Sequence, residues 1–492
     1  MNERGYEAVI GLEVHAQLVT ATKIFCGCPA VYGADPNTLV CPVCLGLPGA
    51  LPVLNREAVA MAVRMGLATG CRVAGLSVFA RKNYFYPDCP KNYQISMYDR
   101  PLCEDGFVEF ELGGEARRVG IERIHLEEDA GKLLHDAGGG SLVDFNRCGV
   151  PLIEIVSRPE IRSPEEASTY LVTLRRILRY LEICDGNMEE GSLRCDVNVS
   201  VRRAGETALG TKTEIKNLNS FRAVEMGIRW EIDRQIETLS KGGRIEQVTN
   251  LWDAASKRLV QMRSKEQAHD YRYFPEPDLR PLEAAAEWME SLRRSLPELP
   301  VDRERRLRRH YGIPPYDASV LCGEKGLADY FEAVAGAGAD AKLAANWIMR
   351  EVLEEMKSGS TAPRSDAGAV PSAGPFGFEA PLDPSRLAGL IALVKKSAVS
   401  GSAARDAFKE MVRSGESAET VVARLGLAQE SDSAALEKWI DEVIAENPDE
   451  AARYRAGKTA LLGFFVGQVM KKSRGTANPK LTGELVRAKL GS

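Results

Sequence analysis

The hydrophobic period changes once along this chain, and that change limits the folds open to it. Over roughly the first 290 residues, apolar residues recur at every second position in short runs, with many glycine turns and two clear helices. After Pro281 the spacing becomes helical, as in Glu287–Leu296 and Ala341–Met356. Local strands mixed with helices, followed by helix alone, favour an α+β architecture over a doubly wound parallel sheet. Between Lys357 and Pro384 the chain is rich in Gly, Ser, Ala and Pro. Such a segment buries too little apolar surface to order itself and reads as a flexible linker or long loop. Helical patterning resumes at Pro384-Ser385.

Two helices are marked by their ends. Ser163-Pro164-Glu165-Glu166 supplies an N-cap, a proline at the first helical position and a capping-box glutamate. Leu171, Leu174, Leu178 and Leu181 then share one face, with Arg175, Arg176 and Arg179 mostly opposite, before Asp185-Gly186 ends the run. The second helix opens at Asn219-Ser220, turns Phe221, Val224, Ile228, Ile232 and Leu239 inward, and stops at Gly242-Gly243.

The 492 residues are 44% hydrophobic and 27% charged, which is a globular composition. No stretch reaches the roughly 18 apolar residues of a membrane span, and the acidic start lacks a secretory core. A cytosolic protein is expected, and the odd count of 11 cysteines suits a reducing compartment. Net charge is −5, which excludes nucleic-acid binding by bulk charge alone. Its distribution is uneven: Arg405–Glu450 holds 5 basic and 12 acidic residues, whereas Ala451–Ser492 holds 9 basic and 1 acidic. The run Gly457–Lys480 reads as an apolar helix ending in Lys471, Lys472, Arg474 and Lys480. Cations favour a helix C-terminus for their own reasons, but this excess also fits phosphate contact with RNA.

Four cysteines fall into two close pairs, Cys26-x-Cys28 and Cys41-x-x-Cys44, in a stretch punctuated by Pro and Gly. That spacing suits tetrahedral thiolate coordination of zinc, with all four ligands from protein and hence a structural role. Elsewhere, strands carry acids on a polar face. In Ala8–Leu18, Ile10, Leu12, Val14 and Ala16 alternate with Glu13, His15 and Gln17. His125-Leu-Glu127-Glu128-Asp129 packs acids densely enough to need solvent or a cation, and Glu154 sits inside an apolar run where a lone carboxylate would be costly. Arg194, Asp196 and Asn198 share a strand face, with Glu189 and Glu190 just upstream, as do Lys212, Glu214 and Lys216, while Arg147 lies in the segment that leads into Glu154. A sheet face of this kind suits metal-bound nucleotide phosphates. A P-loop is absent, so an ATP site here would be of another type. Arg81–Gln94 interleaves four aromatics with three cations, fitting either RNA contact or the wall of a polar passage.

Taken in order, Gly11-Leu-Glu-Val-His15, the two cysteine pairs, Arg81-Lys-Asn-Tyr-Phe-Tyr-Pro-Asp88, His125–Asp129, Asp144-Phe-Asn-Arg147, Met188–Asn198 and Lys212–Ser220 resemble the B subunits of the aspartyl/glutamyl-tRNA(Asn/Gln) amidotransferases. The stretch Gly463–Lys480 resembles the tRNA-contacting tail of the same family. The resemblance implies a glutamine-synthetase-like cradle over 1–292, a helical domain over 293–408 and a helical tail over 409–492. It implies ATP-dependent phosphorylation of the side-chain carboxylate of Glu-tRNA(Gln) or Asp-tRNA(Asn), followed by amidation with ammonia. The ammonia would be released from glutamine by a partner glutaminase (the family's A subunit), with a small C subunit joining the two in a heterotrimer. By the same resemblance, His15, Glu128 and Glu154 would bind one magnesium ion, and Glu13, Glu190 and Glu214 a second that arrives with ATP. Lys82 and Glu128 would lie on the ammonia route, and Cys26, Cys28, Cys41 and Cys44 would bind zinc. Arg147, Arg194, Asp196, Asn198, Lys212 and Lys216 are the candidates for ATP or substrate contact, and Lys471, Lys472, Arg474 and Lys480 for tRNA. Two other readings remain: a stand-alone ATP-dependent carboxylate–ammonia ligase, which leaves the basic tail idle, and a zinc-stabilised RNA scaffold, which leaves Glu154 unexplained.

Overall fold

A computed structural model describes residues 5–135, 140–262, 271–359, 376–429, 433–473 and 476–491. Most of the expected linker, and Arg474, lie outside these residues. The chain forms two compact units, Met1–Arg303 and Glu304–Ser492.

The strands of the first unit are, in chain order, β1 (Tyr6–Gln17), β2 (Arg72–Val73), β3 (Leu76–Ser77), β4 (Phe79–Asn83), β5 (Tyr93–Met97), β6 (Cys103–Leu112), β7 (Glu115–Glu128) and β8 (Lys132–His135). They continue with β9 (Ser141–Asp144), β10 (Pro151–Ser157), β11 (Leu193–Arg203), β12 (Thr213–Lys216), β13 (Thr249–Asp253), β14 (Arg258–Gln261), β15 (Phe274–Pro275) and β16 (Leu282–Glu283). Its helices are α1 (Arg56–Ala68), α2 (Pro164–Tyr180), α3 (Phe221–Ser240) and α4 (Ala286–Arg294). Nine strands make one sheet in the order β14-β13-β12-β11-β1-β10-β7-β6-β2, antiparallel throughout except for the parallel β12–β13 pair. A second, three-stranded sheet has the order β15-β4-β5. The α+β expectation therefore holds.

Alternation decides the faces. Ile10, Leu12, Val14 and Ala16 of β1 and Leu193, Cys195, Val197 and Val199 of β11 are buried in one core with α1, α2 and α3. The helix starts behave as their sequences require. Ser163 Oγ accepts from Glu166 N at 3.1 Å, and the Glu166 carboxylate accepts from Arg162 N at 2.7 Å. Ser220 caps α3 through Ala223 N at 3.1 Å. Leu171, Leu174 and Leu178 are fully buried, whereas Arg175 and Arg179 turn back to hold the carbonyls of Gly186 and Asp185 at 2.8 and 2.6 Å. Gly186 has φ +68°, and a Cβ there would sit 2.6 Å from Arg175 Cγ, so the turn that ends this segment needs glycine.

One buried acid lies against β12. Glu231 of α3 is fully buried and accepts from Thr213 Oγ1 (2.7 Å), Gln235 Nε2 (2.8 Å) and Arg234 (2.6 and 2.9 Å). Thr213 begins β12, so these bonds fasten the helix to that short strand.

The second unit is helical: α5 (Pro300–Tyr311), which begins just before its limit, α6 (Pro315–Leu321), α7 (Lys325–Gly336), α8 (Ala341–Trp347), α9 (Leu353–Gly359), α10 (Pro384–Lys395), α11 (Gly401–Ser414), α12 (Ala418–Leu425), α13 (Ser433–Glu446), α14 (Pro448–Arg455), α15 (Leu462–Lys472) and α16 (Pro479–Gly491). Five residues of π-helix join α8 to α9. One core runs from Leu307 to Val422 and a separate one from Leu436 to Leu490. The expected limit at 408/409 cuts through α11, whose Phe408 and Met411 share the first of these cores, so the packing divides after α12 instead.

Glu231→Ala strands buried donors and is expected to cost about 3–5 kcal/mol, read as a fall in the urea midpoint of unfolding, with Glu231→Gln costing less.

Candidate active site

The polar face of the large sheet carries a row of functional side chains fixed by strand register. His125 of β7 pairs with Glu154 of β10, Glu154 with His15 of β1, and His15 with Arg194 of β11. Because each belongs to the polar parity of its strand, the four side chains emerge together. Glu127 and Glu13 flank the row. His15 Nε2 lies 3.3 Å from Glu154, 3.4 Å from Glu127 and 3.9 Å from Glu13, and His125 Nε2 lies 3.5 Å from Glu154. Glu127 and Glu154 are only 2% and 5% exposed, so these are not solvated surface acids.

Charge in the cluster is shared unequally. Burial opposes a charged His15, yet Glu154, Glu127 and Glu13 push its imidazole up to about 9. Burial pushes His125 below its ordinary value. Burial also opposes ionisation of Glu154, but His125, His15 and Lys82 hold its carboxyl well below the usual range. Burial and the nearby Glu154 raise Glu13. Two groups of ligand atoms are close enough to share one cation: Glu13, His15 and Glu154, and His125, Glu127 and Glu154. His125 Nδ1 and Arg194 Nε are buried with no hydrogen-bond partner among the described residues. Carboxylates and imidazole in this proportion fit a divalent cation.

The sequence expectation put Glu128 with His15 and Glu154. The structure puts Glu127 there, because Glu128 has the opposite strand parity. Glu128 pairs with Lys91 and accepts from Ile95 N at 2.8 Å, beside a small cleft lined by Tyr84, Asp88, Cys89, Lys91 and Gln94. Lys82 of β4 lies 4.9 Å from the ring centre of Tyr271, and although burial opposes its charge, Glu127 and Glu154 raise it above its ordinary value.

The other expected residues fall on the flank of the row. Asp196 and Glu214 bracket Lys216 at 2.6 and 3.2 Å, and Thr249 Oγ1 donates to Glu214 at 2.8 Å. Asn198 pairs across β1 with Gly11 and across β12 with Glu214. Lys212 is exposed just before β12. Glu190 is exposed in the turn before β11, where its N–H and that of Glu189 point at Asn187 Oδ1, and it belongs to neither group of ligand atoms. Arg147 donates to the carbonyls of Ala130 and Gly131 at 2.9 and 2.6 Å, which shapes the turn after β7. Asp129, absent from the expected set, anchors this region: it accepts from Gln17 at 2.8 Å and Arg194 at 2.7 Å.

Cys26, Cys28, Cys41 and Cys44 present four sulfurs within 4.8 Å of one another, a group that could hold a metal ion such as zinc. The fully buried Lys23 reaches Cys44 Sγ at 3.6 Å. A bond from Cys26 is the main reason the Cys44 thiol is lowered to about 4, and burial raises Cys28 to about 11.

In the tail, Lys471 and Lys480 are exposed. Lys472 is instead held by Glu442 and Glu446 of α13 at 2.8 and 2.7 Å, so part of the basic run is spent on the acidic segment before it.

Two family models match the chain: the GatB/GatE catalytic domain over residues 8–290 and the GatB domain over residues 329–490. The chain is 53% identical over 481 residues to the aspartyl/glutamyl-tRNA(Asn/Gln) amidotransferase B subunit of Thermodesulfovibrio yellowstonii, covering 98% of each chain. It is 52% identical over 488 residues to the protein of that name from Moorella thermoacetica, covering 99% of this chain and all of the relative, and 52% identical over 489 residues to that of Geobacter sulfurreducens, covering 99% of each. The chain belongs to this family of B subunits. It is thus one component of an amidotransferase, and the catalytic-domain match contains every residue of the His15–Glu154 cluster and the four clustered cysteines. The second match begins within α7 and spans parts of both helical cores. Among the described residues no helix is long and apolar enough to cross a membrane.

Asp129→Ala leaves Arg194 and Gln17 facing a void, and a loss of about 3–5 kcal/mol in urea unfolding is expected.

Proposed function

We propose that this chain activates the side-chain carboxylate of glutamate or aspartate misacylated on tRNA. The observation that supports this reading best is the register-fixed row His125–Glu154–His15–Arg194, with Glu13 and Glu127 beside it. A carboxylate repels nucleophiles and has no adequate leaving group. Attack of its oxygen on the γ-phosphorus of ATP releases ADP and leaves an acyl phosphate. Ammonia then adds to the acyl carbon, phosphate departs, and a base takes the surplus proton to leave the amide.

Glu13, His15, His125, Glu127 and Glu154 would hold the divalent cations. Such an ion offsets the negative charge of the phosphates and the attacking carboxylate. Lys216, Lys212 and Arg194 would meet nucleotide phosphates on the β11–β12 flank, with Glu214 and Asp196 keeping Lys216 in place. Glu190 lies in a turn on the same side and would join only on substrate binding. Lys82 and Glu128 would line the ammonia route. Ammonia would come from glutamine hydrolysed by the glutaminase partner, with the small C subunit joining the assembly. Lys471 and Lys480 would contact tRNA phosphates.

The four cysteines fit a zinc ion, which would be structural because every ligand position is filled by sulfur. One equivalent of zinc per chain is expected by metal analysis, with Cys41→Ser plus Cys44→Ser reducing it to near zero and lowering the melting temperature.

The decisive comparison sets Glu127→Gln against Glu128→Gln in the reconstituted heterotrimer. Glu127→Gln should weaken divalent-cation affinity by about 10-fold or more and abolish ADP release stimulated by mischarged tRNA. Glu128→Gln should leave cation affinity unchanged and lose amide formation. If wild type shows no ADP release with mischarged tRNA and active partners, the activation reading fails.

A further inference from the structure

The aromatic run Arg81–Gln94 and the carboxylate cluster leave one feature without a role. Tyr98, 55% exposed, stacks on Tyr273 with ring centres 4.2 Å apart and planes 6° from parallel. Tyr273 meets Tyr271 edge-on at 6.0 Å, and Tyr271 meets Tyr84 edge-on at 6.5 Å. A parallel pair whose outer ring, Tyr98, is exposed offers a flat π-face to which another planar ring can add.

The position of this pair is fixed by the same strands that build the cluster. Ser96 of β5 donates to Glu127 at 3.2 Å, and Gln94 donates to the Glu128 carbonyl at 2.6 Å. Tyr98 follows Ser96 by two residues, just past the end of β5. Lys82, opposite Gln94 in the small sheet, reaches the ring of Tyr271. The stack therefore stands on the β5 flank of the cluster, whereas Lys216, Asp196 and Glu214 occupy the β11–β12 flank.

We propose that the Tyr98–Tyr273 stack is the subsite for the terminal nucleobase of the aminoacyl-tRNA acceptor end. This rests on the carboxylate-activating reading above. On that reading the amino acid must put its side chain into the cluster while its ester stays joined to the terminal ribose, so the terminal base must lie within a few ångströms of the cluster rim. On the reading above Lys216, Lys212 and Arg194 meet the triphosphate, which leaves the aromatic flank for the nucleoside that carries the amino acid. Stacking is indifferent to base edges, so one platform accepts the shared acceptor end of tRNAs that carry glutamate or aspartate.

The test uses the reconstituted heterotrimer with saturating glutamine and Glu-tRNA(Gln), and measures KM for the tRNA and for ATP separately. Tyr98→Ala should raise KM for Glu-tRNA(Gln) about 10-fold or more, with KM for ATP and kcat at saturating tRNA unchanged. Tyr98→Trp should restore the wild-type KM, since it restores the ring and not the hydroxyl, and Tyr273→Leu should reproduce the Tyr98→Ala defect. An unchanged KM for tRNA in both Tyr98→Ala and Tyr273→Leu overturns the subsite, as does a rise confined to ATP, which would assign the stack to the adenine of the nucleotide. A wild-type complex that amidates neither Glu-tRNA(Gln) nor Asp-tRNA(Asn) instead removes the underlying functional reading.

Discussion

Glu154 lies on β10, flanked by β1 and β7 inside a nine-stranded sheet, and an ionised carboxylate there is sustained chiefly by the imidazoles of the two neighbouring strands, with Lys82 and Arg123 adding to them. That requirement ties the register of β1, β10 and β7 together. A slip of one residue in either pairing would send His15 or His125 into the apolar core and take an imidazole away from Glu154. Asp129 repeats the logic at the end of β7, where Arg194 from β11 and Gln17 from β1 meet one buried acid. Strand pairing and charge pairing thus specify the same alignment, and the polar face that results is rigid because its backbone is the middle of the sheet.

Much of this was legible in the sequence. Alternation in Ala8–Leu18 and Leu193–Val201 separated core from polar residues correctly, and Ser163 and Ser220 marked helix starts that the structure shares. The odd placement of Glu154 within an apolar run marked a paired carboxylate. The choice between Glu127 and Glu128 was obscured by a bulge. Opposite Val156 and Ser157 the register of β7 skips a residue, so Ile121 and Ile124 both face the core and the period of two is interrupted. Counting from Leu126 alone, rather than across the bulge, would have put His125 and Glu127 on the polar side. Lys91 and Asp129 were missed because their partners come from strands far away in sequence.

The same limit applies to charge. Counting residues made the last forty or so a cationic patch, yet Lys472 and Lys489 are bound by Glu442, Glu446, Asp441 and Glu437 of α13. The acidic segment and the basic one are partners within one small core, and the count alone overstated the field offered to RNA. Lys471 and Lys480 remain exposed.

The place of β1 in the sheet bears on how the chain is made. Its partners are β10 and β11, with Glu13 paired to Val156 and Tyr6 to Arg203. At a synthesis rate of roughly 5–20 residues per second, β1 waits on the order of 10–40 seconds for its second neighbour. During that interval the apolar face of Ile10, Leu12 and Val14 is incompletely covered, so the segment that supplies His15 to the finished site is also an aggregation hazard of the nascent chain. A chain that stalls before residue 203 would present that strand, with one neighbour missing, as a surface for chaperones.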